Sequence, residues 1–303
     1  MNKYLSTIII LISLLACNLG TAQPLNENSL ITQYPPVPIE ARPPETSDDL
    51  LLEATVSSHI RDIYTLGQAL GNRSGVFSKV GDSITVSNSF LYPFGVGRYN
   101  LADYAYLEAT IQQFSQANAN IGNSFINPSI ASREGWSANA VLNPQMANST
   151  YCLAGETPLL CEYRVVRPSI AFIMFGTNDS GYRTVDQYTA DMQQIIRLSE
   201  ENGVIPVLST IPNRPDVPQQ VLRFNDIVRT LAIENQLPYI DLYSLTINLP
   251  NYGLTSDNVH LSSSPLGITG TATFDAQNLN YGYVVRNLAT LQALHIVQQV
   301  IEG

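Results

Sequence analysis

The chain has 303 residues, 45% of them hydrophobic and 13% charged, which is enough for one large or two small domains with a buried core. Its 25 acidic side chains exceed its 15 basic ones, giving a formal net charge of -10. This balance argues against nucleic acid as a partner, because phosphate binding requires a basic surface. A mean hydropathy of +0.02, with 18 glycines and 18 prolines, excludes a coiled coil and a polytopic membrane protein.

Residues 1–22 have the pattern of a secretory signal, since one lysine is followed by an apolar run over 8–16 that is too short to span a bilayer. Two cleavage sites are open. Small residues at 20–22 suit an ordinary signal peptidase, whereas Leu-Leu-Ala-Cys at 14–17 is similar to a bacterial lipobox, in which Cys17 becomes the lipidated first residue. The sequence therefore predicts an exported protein. It is either secreted or attached to a membrane through Cys17, as a periplasmic or cell-surface lipoprotein.

Proline-rich chain covers residues 23–50 and includes Tyr-Pro-Pro-Val-Pro at 34–38. Because proline disfavours helix and favours extended, solvated chain, this segment is predicted to be a tether between the signal and a domain over 51–303. An arm lying on the surface of that domain is the alternative.

Two cysteines, Cys152 and Cys161, remain once Cys17 is cleaved away or lipidated. An even pair in an oxidising compartment usually forms a disulfide, and we expect one here. Zinc is not expected, because two thiols without a nearby histidine cannot complete a tetrahedral site.

Strands and helices alternate after the tether. Four strands are predicted, at 77–80, 169–175, 204–208 and 239–242, and the continuous apolar run of 169–175 is typical of a strand buried on both faces. A weaker strand is predicted over Ser124 to Ala131, although Pro128 counts against it. Amphipathic helices are predicted over 185–196, 221–231 and 284–296. This alternation predicts an α/β fold, a three-layer α/β/α sandwich around a central parallel sheet, with the active site beyond the carboxyl ends of the strands.

Four short polar blocks follow the predicted strands. They are Gly81-Asp82-Ser83, the segment 132–137 around Gly135, Gly176-Thr177-Asn178-Asp179, and Asp257-Asn258-Val259-His260. Each block alone is a weak signal. Their order and shared position at one edge of a sheet are more specific.

These blocks resemble those of the SGNH/GDSL hydrolase superfamily over Val76 to Gly303. The resemblance implies a flavodoxin-like fold and a serine hydrolase of carboxylic esters, with an oxyanion hole formed by the N–H groups of Ser83 and Gly135 and the side-chain amide of Asn178. It implies neither a metal nor an organic cofactor. Two features depart from the family pattern: Ile84-Thr85 follows the nucleophile block, and residues 140–164 form a long insertion of unassigned role.

The residue types give the catalytic assignment a physical reason. A serine hydroxyl needs a neighbouring base, and the chain has three histidines. His59 is predicted to lie in a helix remote from the strand ends, and His295 lies in the last amphipathic helix. His260 lies in a loop, three residues after Asp257, which can orient its imidazole. The predicted triad is therefore Ser83, His260 and Asp257.

Other chemistries were weighed against this one. Asp82 and Asp179 could form a carboxylate pair for glycoside cleavage or metal binding, but the family resemblance favours carboxylates that hold loops by bonding to backbone. Lys79 could suggest a serine–lysine mechanism, but we expect its side chain in solvent at the sheet edge. Trp136, Tyr151 and Tyr163 could stack on a sugar or an acyl chain, or simply pack.

Polar residues surround the blocks, and the few apolar neighbours, Trp136, Leu254 and Leu261, suffice for a short acyl group. The expected substrate is a small-molecule or carbohydrate ester with an acetyl or similar acyl group. The alternatives are a lipase or lysophospholipase of the same superfamily, and a carbohydrate-binding surface module without turnover.

Overall fold

The structure is a computed structural model that describes residues 54–303. The predicted signal, the lipidation candidate Cys17 and the predicted tether all lie outside the described residues.

A parallel four-stranded sheet forms the centre of the described domain. Its strands are β1 (Arg73–Gly81), β4 (Pro168–Met174), β5 (Ile205–Ser209) and β6 (Tyr239–Ile240), in the order β1-β4-β5-β6. The seven residues of β4 are all buried, as its continuous apolar run predicts for a strand covered on both faces. Two short strands, β2 (Asn118–Asn120) and β3 (Gly122–Asn123), form a separate antiparallel pair.

Helices cover both faces of the sheet. In chain order they are α1 (Ala54–Leu70), α2 (Ser83–Val86), α3 (Tyr92–Gly95), α4 (Glu108–Gln116), α5 (Ala138–Val141), α6 (Pro158–Val166), α7 (Val185–Glu201), α8 (Pro218–Glu234), α9 (Leu242–Thr246), α10 (Gly267–Gly270) and α11 (Gly282–Glu302). Helices α1, α4 and α11 pack together on one face, whereas α6, α7 and α8 lie on the other. The three-layer α/β/α prediction is therefore confirmed. No helix in this described region is long and apolar enough to cross a membrane.

The predicted strand over 124–131 is wrong. That segment is mostly turns, and only Ser132 forms a parallel bridge, with Gly81 on the open side of β1. Pro128 has no N–H for a ladder, and the Asn123 side chain and carbonyl hold the chain in a turn by accepting from the N–H of Ile126. After β1 the chain passes along the open side of that strand and then returns as β4 on its other side. The carboxyl end of β1 is therefore a topological switch point, where ligands bind in such folds.

Candidate active site

The nucleophile block forms the turn that ends β1 and begins α2. Gly81 is required here because a Cβ would lie 2.6 Å from the carbonyl oxygen of Met174 on the neighbouring strand. Asp82 is the N-cap of α2, and its Oδ1 accepts a hydrogen bond from the Ile84 N–H at 3.0 Å. Ser83 is therefore the first residue of a short helix at the carboxyl end of β1.

Ser83, His260 and Asp257 are brought together. Ser83 Oγ lies 2.9 Å from His260 Nε2, and His260 Nδ1 lies 2.7 Å from Asp257 Oδ2. The other carboxylate oxygen, Asp257 Oδ1, accepts hydrogen bonds from the Thr255 hydroxyl at 2.6 Å and from the N–H groups of Val259 and His260. Burial acts to raise the pKa of Asp257, but these hydrogen bonds outweigh it and hold that pKa well below its usual range. The acid therefore stays ionised beside His260 at neutral pH.

Two of the three predicted oxyanion donors, the N–H of Ser83 and the side-chain amide of Asn178, each have a hydrogen that no described residue accepts. The N–H groups of Ile84, Thr85 and Val86 bond to Asp82, but that of Ser83 makes no hydrogen bond to any described residue. One hydrogen of the Asn178 amide is donated to the Trp136 carbonyl at 2.8 Å, which leaves the second available. These are the donor types that stabilise a tetrahedral oxyanion.

Gly135 lies on the loop between two residues that contact these blocks. The Arg133 N–H donates to the Gly81 carbonyl at 3.2 Å, and Trp136 accepts the bond from Asn178. The N–H of Gly135 makes no hydrogen bond to any described residue, so it is available to an oxyanion. No atom of the described structure lies within 4 Å of the position that a Cβ on Gly135 would occupy. Glycine is favoured by a φ of 73°.

Asp82 and Asp179 bind backbone, as expected. The two carboxylate oxygens of Asp179 accept from the N–H groups of Ala138 at 2.9 Å and Gly176 at 3.0 Å, so this residue links its own block to the start of α5, directly after the segment 132–137. Burial raises the pKa of Asp82 and that of Asp179 to about 6 each.

The prediction that Lys79 lies in solvent is wrong. Its side chain is 9% exposed, and Nζ donates to the Phe125 carbonyl at 2.8 Å, because the segment that follows β3 covers this edge of the sheet. Burial lowers the pKa of Lys79 to about 8, against the opposing charge of Glu162. Glu162 is fully buried and accepts from the Ser78 hydroxyl at 2.6 Å and from the Ile130 N–H at 2.7 Å. Lys79 therefore supports the edge of the sheet.

The other two histidines lie where the sequence predicts. His59 is in α1 and its Nε2 is 2.9 Å from Glu200, whereas His295 is in α11 with Nδ1 2.9 Å from the Thr110 hydroxyl. Of the aromatic residues, Tyr163 is buried and hydrogen-bonded to Ser199, so it cannot stack on a substrate. Leu254 and Leu261 are also buried, where they pair in an antiparallel bridge, and neither is free to hold an acyl group.

The disulfide between Cys152 and Cys161 is present and closes part of the insertion. Arg164 also cross-links this part of the insertion, because it donates hydrogen bonds to Glu156 and to the carbonyl of Tyr151. The two cysteines and Glu156 also form a cluster of metal-type ligands within the described region. Both sulfurs are joined in the disulfide, so this cluster does not suit a metal ion.

A cleft of about 520 Å³ opens beside the Gly135 loop, between that loop and the insertion. Its lining includes Ser132, Arg133, Trp136, Gln145, Asn148 and Ser149. Two of these lining residues contact the polar blocks, since the Arg133 N–H donates to the Gly81 carbonyl and the Trp136 carbonyl accepts from Asn178. The lining itself does not include Ser83, Asn178 or His260.

Two side chains of α11 that the sequence reasoning did not single out contact the nucleophile turn. Arg286 and Tyr283 both donate to the Ile84 carbonyl, at 2.7 and 3.2 Å.

Residues 79–264 match the model of the GDSL-like Lipase/Acylhydrolase family. This match spans more than half of the chain and includes each of the blocks described above. The chain belongs to this family and is an ester-hydrolysing enzyme. A search of curated proteins gives no match.

Several solved structures are similar at low identity. One is a GDSL-like lipase from Bacteroides thetaiotaomicron, 16% identical, with a TM-score of 0.44 over 80% of this chain and 98% of that one. Another is a catalytic mutant of an acetylxylan esterase from Geobacillus stearothermophilus, 14% identical, with a TM-score of 0.46 over 72% and 93%. A third is a carbohydrate esterase family 3 protein from Talaromyces cellulolyticus, 13% identical, with a TM-score of 0.46 over 73% and 98%.

Proposed function

We propose that this enzyme is a serine esterase with Ser83 as nucleophile, His260 as general base and Asp257 as the acid that orients His260. The observation that carries the proposal is the pair of hydrogen bonds that joins the three side chains, at 2.9 and 2.7 Å. A serine hydroxyl gains reactivity when such a base removes its proton during attack, and an ionised acid stabilises the imidazolium that forms.

The reaction proceeds in two halves. Ser83 Oγ attacks the ester carbonyl carbon while its proton passes to His260 Nε2, and the oxyanion accepts hydrogen bonds from the N–H groups of Ser83 and Gly135 and from the Asn178 amide. Collapse of this intermediate breaks the bond to the alcohol, which leaves with the proton from His260. Water, deprotonated by His260, then attacks the acyl-enzyme and releases the carboxylic acid and free Ser83.

We further propose a short-acyl ester of a polar alcohol, such as an acetylated sugar, as substrate. The cleft beside the Gly135 loop is lined by one arginine, two side-chain amide residues and three serines, which suit the hydroxyl groups of a carbohydrate. Trp136 also lines this cleft but is only 6% exposed, so the polar side chains carry the proposal.

A lipase is the second candidate, because two apolar side chains downstream of His260 are exposed. Leu266 is 66% and Ile268 47% exposed, on and just before α10. The preceding segment meets the end of the nucleophile turn, where Ser263 Oγ lies 3.1 Å from Ser89 Oγ. This apolar pair is a place where a long acyl chain could lie.

Labelling with a fluorophosphonate probe tests the catalytic assignment. The wild type should be labelled at Ser83, and both Ser83→Ala and His260→Ala should lose labelling and turnover while remaining folded. His59→Ala and Ser169→Ala are matched controls, because these residues bond to Glu200 and to carbonyls of β1, away from the site. Retained turnover in Ser83→Ala would refute the proposal.

An acyl-chain series separates the two substrate candidates. With p-nitrophenyl acetate, butyrate and octanoate, kcat/KM should fall as the chain lengthens, and the Leu266→Ser/Ile268→Ser double variant should behave like the wild type. A rise towards octanoate that this variant abolishes would favour the lipase.

Variants of the cleft test the polar alcohol. Arg133→Ala and Asn148→Ala should each raise KM about 3- to 10-fold for an acetylated sugar, the effect of one lost hydrogen bond, and leave p-nitrophenyl acetate unaffected. Equal effects on both esters would argue against the cleft as the alcohol site.

We also propose export, with a lipid anchor at Cys17 as one form. The support is the sequence pattern alone: an apolar run followed by Leu-Leu-Ala-Cys. Release of Cys17→Ala protein from the membrane fraction would support the anchor, whereas a mature chain that begins at Gln23 would exclude it.

A further inference from the structure

The helix that carries Ser83 is too short to be stable by itself. It has four residues, and helices of this length gain too few internal hydrogen bonds to offset the cost of nucleation. Its N-terminal end is capped by Asp82. The last carbonyl groups of any helix lack partners within the helix, so the C-terminal end of α2 needs donors from elsewhere.

Arg286, on α11, supplies one of these donors, and the Tyr283 hydroxyl supplies a second to the same carbonyl. Arg286 Nη1 donates to the Ile84 carbonyl at 2.7 Å and Arg286 Nη2 to the Thr85 hydroxyl at 2.9 Å, so one planar group holds two consecutive residues of α2. The guanidinium carbon lies 3.7 Å from the centroid of the Phe90 ring, a cation–π contact that fixes the plane from its face. Cation, helix turn and ring therefore form one packed unit.

This arrangement is costly. Arg286 is 4% exposed and forms no ion pair within the described part of the chain, although a buried charge without a partner is strongly disfavoured. Burial lowers the pKa of Arg286 to about 10, so the group is still protonated at neutral pH, and its charge acts on Asp82 at the other end of the same turn. A neutral donor would cap the carbonyl at lower cost. It would lack the rigid fork and the charge.

We propose that Arg286 is a positioning residue that fixes the α2 turn, and through it the hydroxyl and N–H of Ser83, in the geometry required for attack. The inference rests on the proposed function, since it takes Ser83 as the nucleophile. Arg286 acts through Ile84 and Thr85 and does not touch the substrate. Because the turn sets both the nucleophile and one oxyanion donor, its displacement affects the transition state more than the bound ester.

The test compares kcat, KM and the rate of fluorophosphonate labelling in variants, at a temperature where circular dichroism shows each one folded. Arg286→Met should lower kcat and the labelling rate about 100-fold with a much smaller change in KM, as expected when reacting groups move by about 1 Å. Arg286→Lys keeps the charge but loses the two-pronged guanidinium. Its kcat and labelling rate should lie between those of Arg286→Met and the wild type. Thr85→Val removes one acceptor of the fork and should lower the labelling rate without changing the charge.

Arg73→Met is the matched control. Arg73 also donates to backbone carbonyls, among them Ala119 at 2.6 Å, but at the opposite end of β1 from Ser83. Its loss should lower the thermal midpoint and leave kcat of the folded protein unchanged.

A purely structural role for Arg286 would give Arg286→Met the same behaviour as the Arg73 control and overturn the inference. If Arg286→Met does not fold, wild-type labelling rates in Arg286→Lys and Thr85→Val overturn it equally. Turnover in Ser83→Ala, by contrast, would refute the proposed function itself.

Discussion

Burial of Asp82 lowers the stability of the folded protein by an amount that depends on pH and can be measured directly. The Asp82 carboxylate is fully buried: Oδ1 caps α2, and the Thr177 hydroxyl acts on the same carboxylate to lower its pKa. Burial raises the pKa of Asp82 from an ordinary 3.8 to about 6, against the cap bond from Ile84 and the charge of Arg286. Asp82→Asn keeps the shape and the cap but has no proton to lose.

The sign follows from the direction of the shift. An acid whose pKa is higher in the folded than in the unfolded state binds its proton more tightly when folded. Its contribution to stability is therefore complete below about pH 4 and is lost as the pH rises through about 6. The shift of about 2 units is worth roughly 3 kcal/mol, at about 1.36 kcal/mol per unit. Because the unfolded acid is already more than half ionised at pH 4, the free energy of unfolding of the wild type, relative to Asp82→Asn, should fall by about 2 kcal/mol between pH 4 and pH 7.

Urea denaturation of both proteins at pH 4, 5, 6 and 7 measures this difference. Any cost of burying the new amide is independent of pH and cancels. The charge of Asp82 also helps to raise the pKa of Asp179. Asp82→Asn removes this charge, so Asp179 adds to the pH-dependent difference in stability in the same direction. Asp103→Asn, at an exposed position, controls for the loss of one surface carboxylate. A stability difference that is the same at pH 4 and pH 7 would refute the reasoning.

Two further predictions concern the oxyanion hole and the insertion. Asn178→Ala should lower kcat about 100-fold or more with little change in KM, measured by steady-state kinetics on p-nitrophenyl acetate; an effect confined to KM would argue against oxyanion stabilisation. Reduction of the Cys152–Cys161 disulfide should lower the free energy of unfolding by about 3 kcal/mol, according to the loop-entropy model. It should speed hydrogen exchange in residues 140–164 more than in β4, and equal acceleration in both would contradict this.

The sheet could be predicted from the sequence because its central strands are continuous apolar runs. A strand with a continuous apolar run is buried on both faces, and all of β4 is buried. The edge beside β1 could not be predicted in the same way. There the chain is held by side chains, such as Glu162 on the Ile130 N–H, which come from another part of the sequence and leave no periodic pattern.

The Lys79 prediction failed for a related reason. Alternation along a strand indicates which face a side chain occupies, but not whether a later segment covers that face. Phe125, 46 residues further on, provides the carbonyl that accepts from the ammonium group. A lysine followed directly by an apolar residue and the nucleophile block gives no sign of this cover.

The grouping of Ser83, His260 and Asp257 was predictable because three histidines leave few choices and because Asp257 lies three residues from His260. Arg286 was not, since its partners are about 200 residues away in the sequence. One signal could have found it. Between Gly282 and Gln299, Arg286 is the only lysine, arginine, aspartate or glutamate, and a lone charge inside a helix of largely apolar and uncharged polar residues indicates a buried partner.

Buried polar groups hold the β1–α2 junction from two sides. Glu162, from α6, binds Ser78 on β1, and Arg286, from α11, binds the turn that follows. Since α2 has too few residues to stabilise itself, the placement of Ser83 depends on these distant elements more than on its own sequence neighbours. On the two proposals made above, the geometry of Ser83 therefore depends on the packing of α11 against the β1–α2 junction.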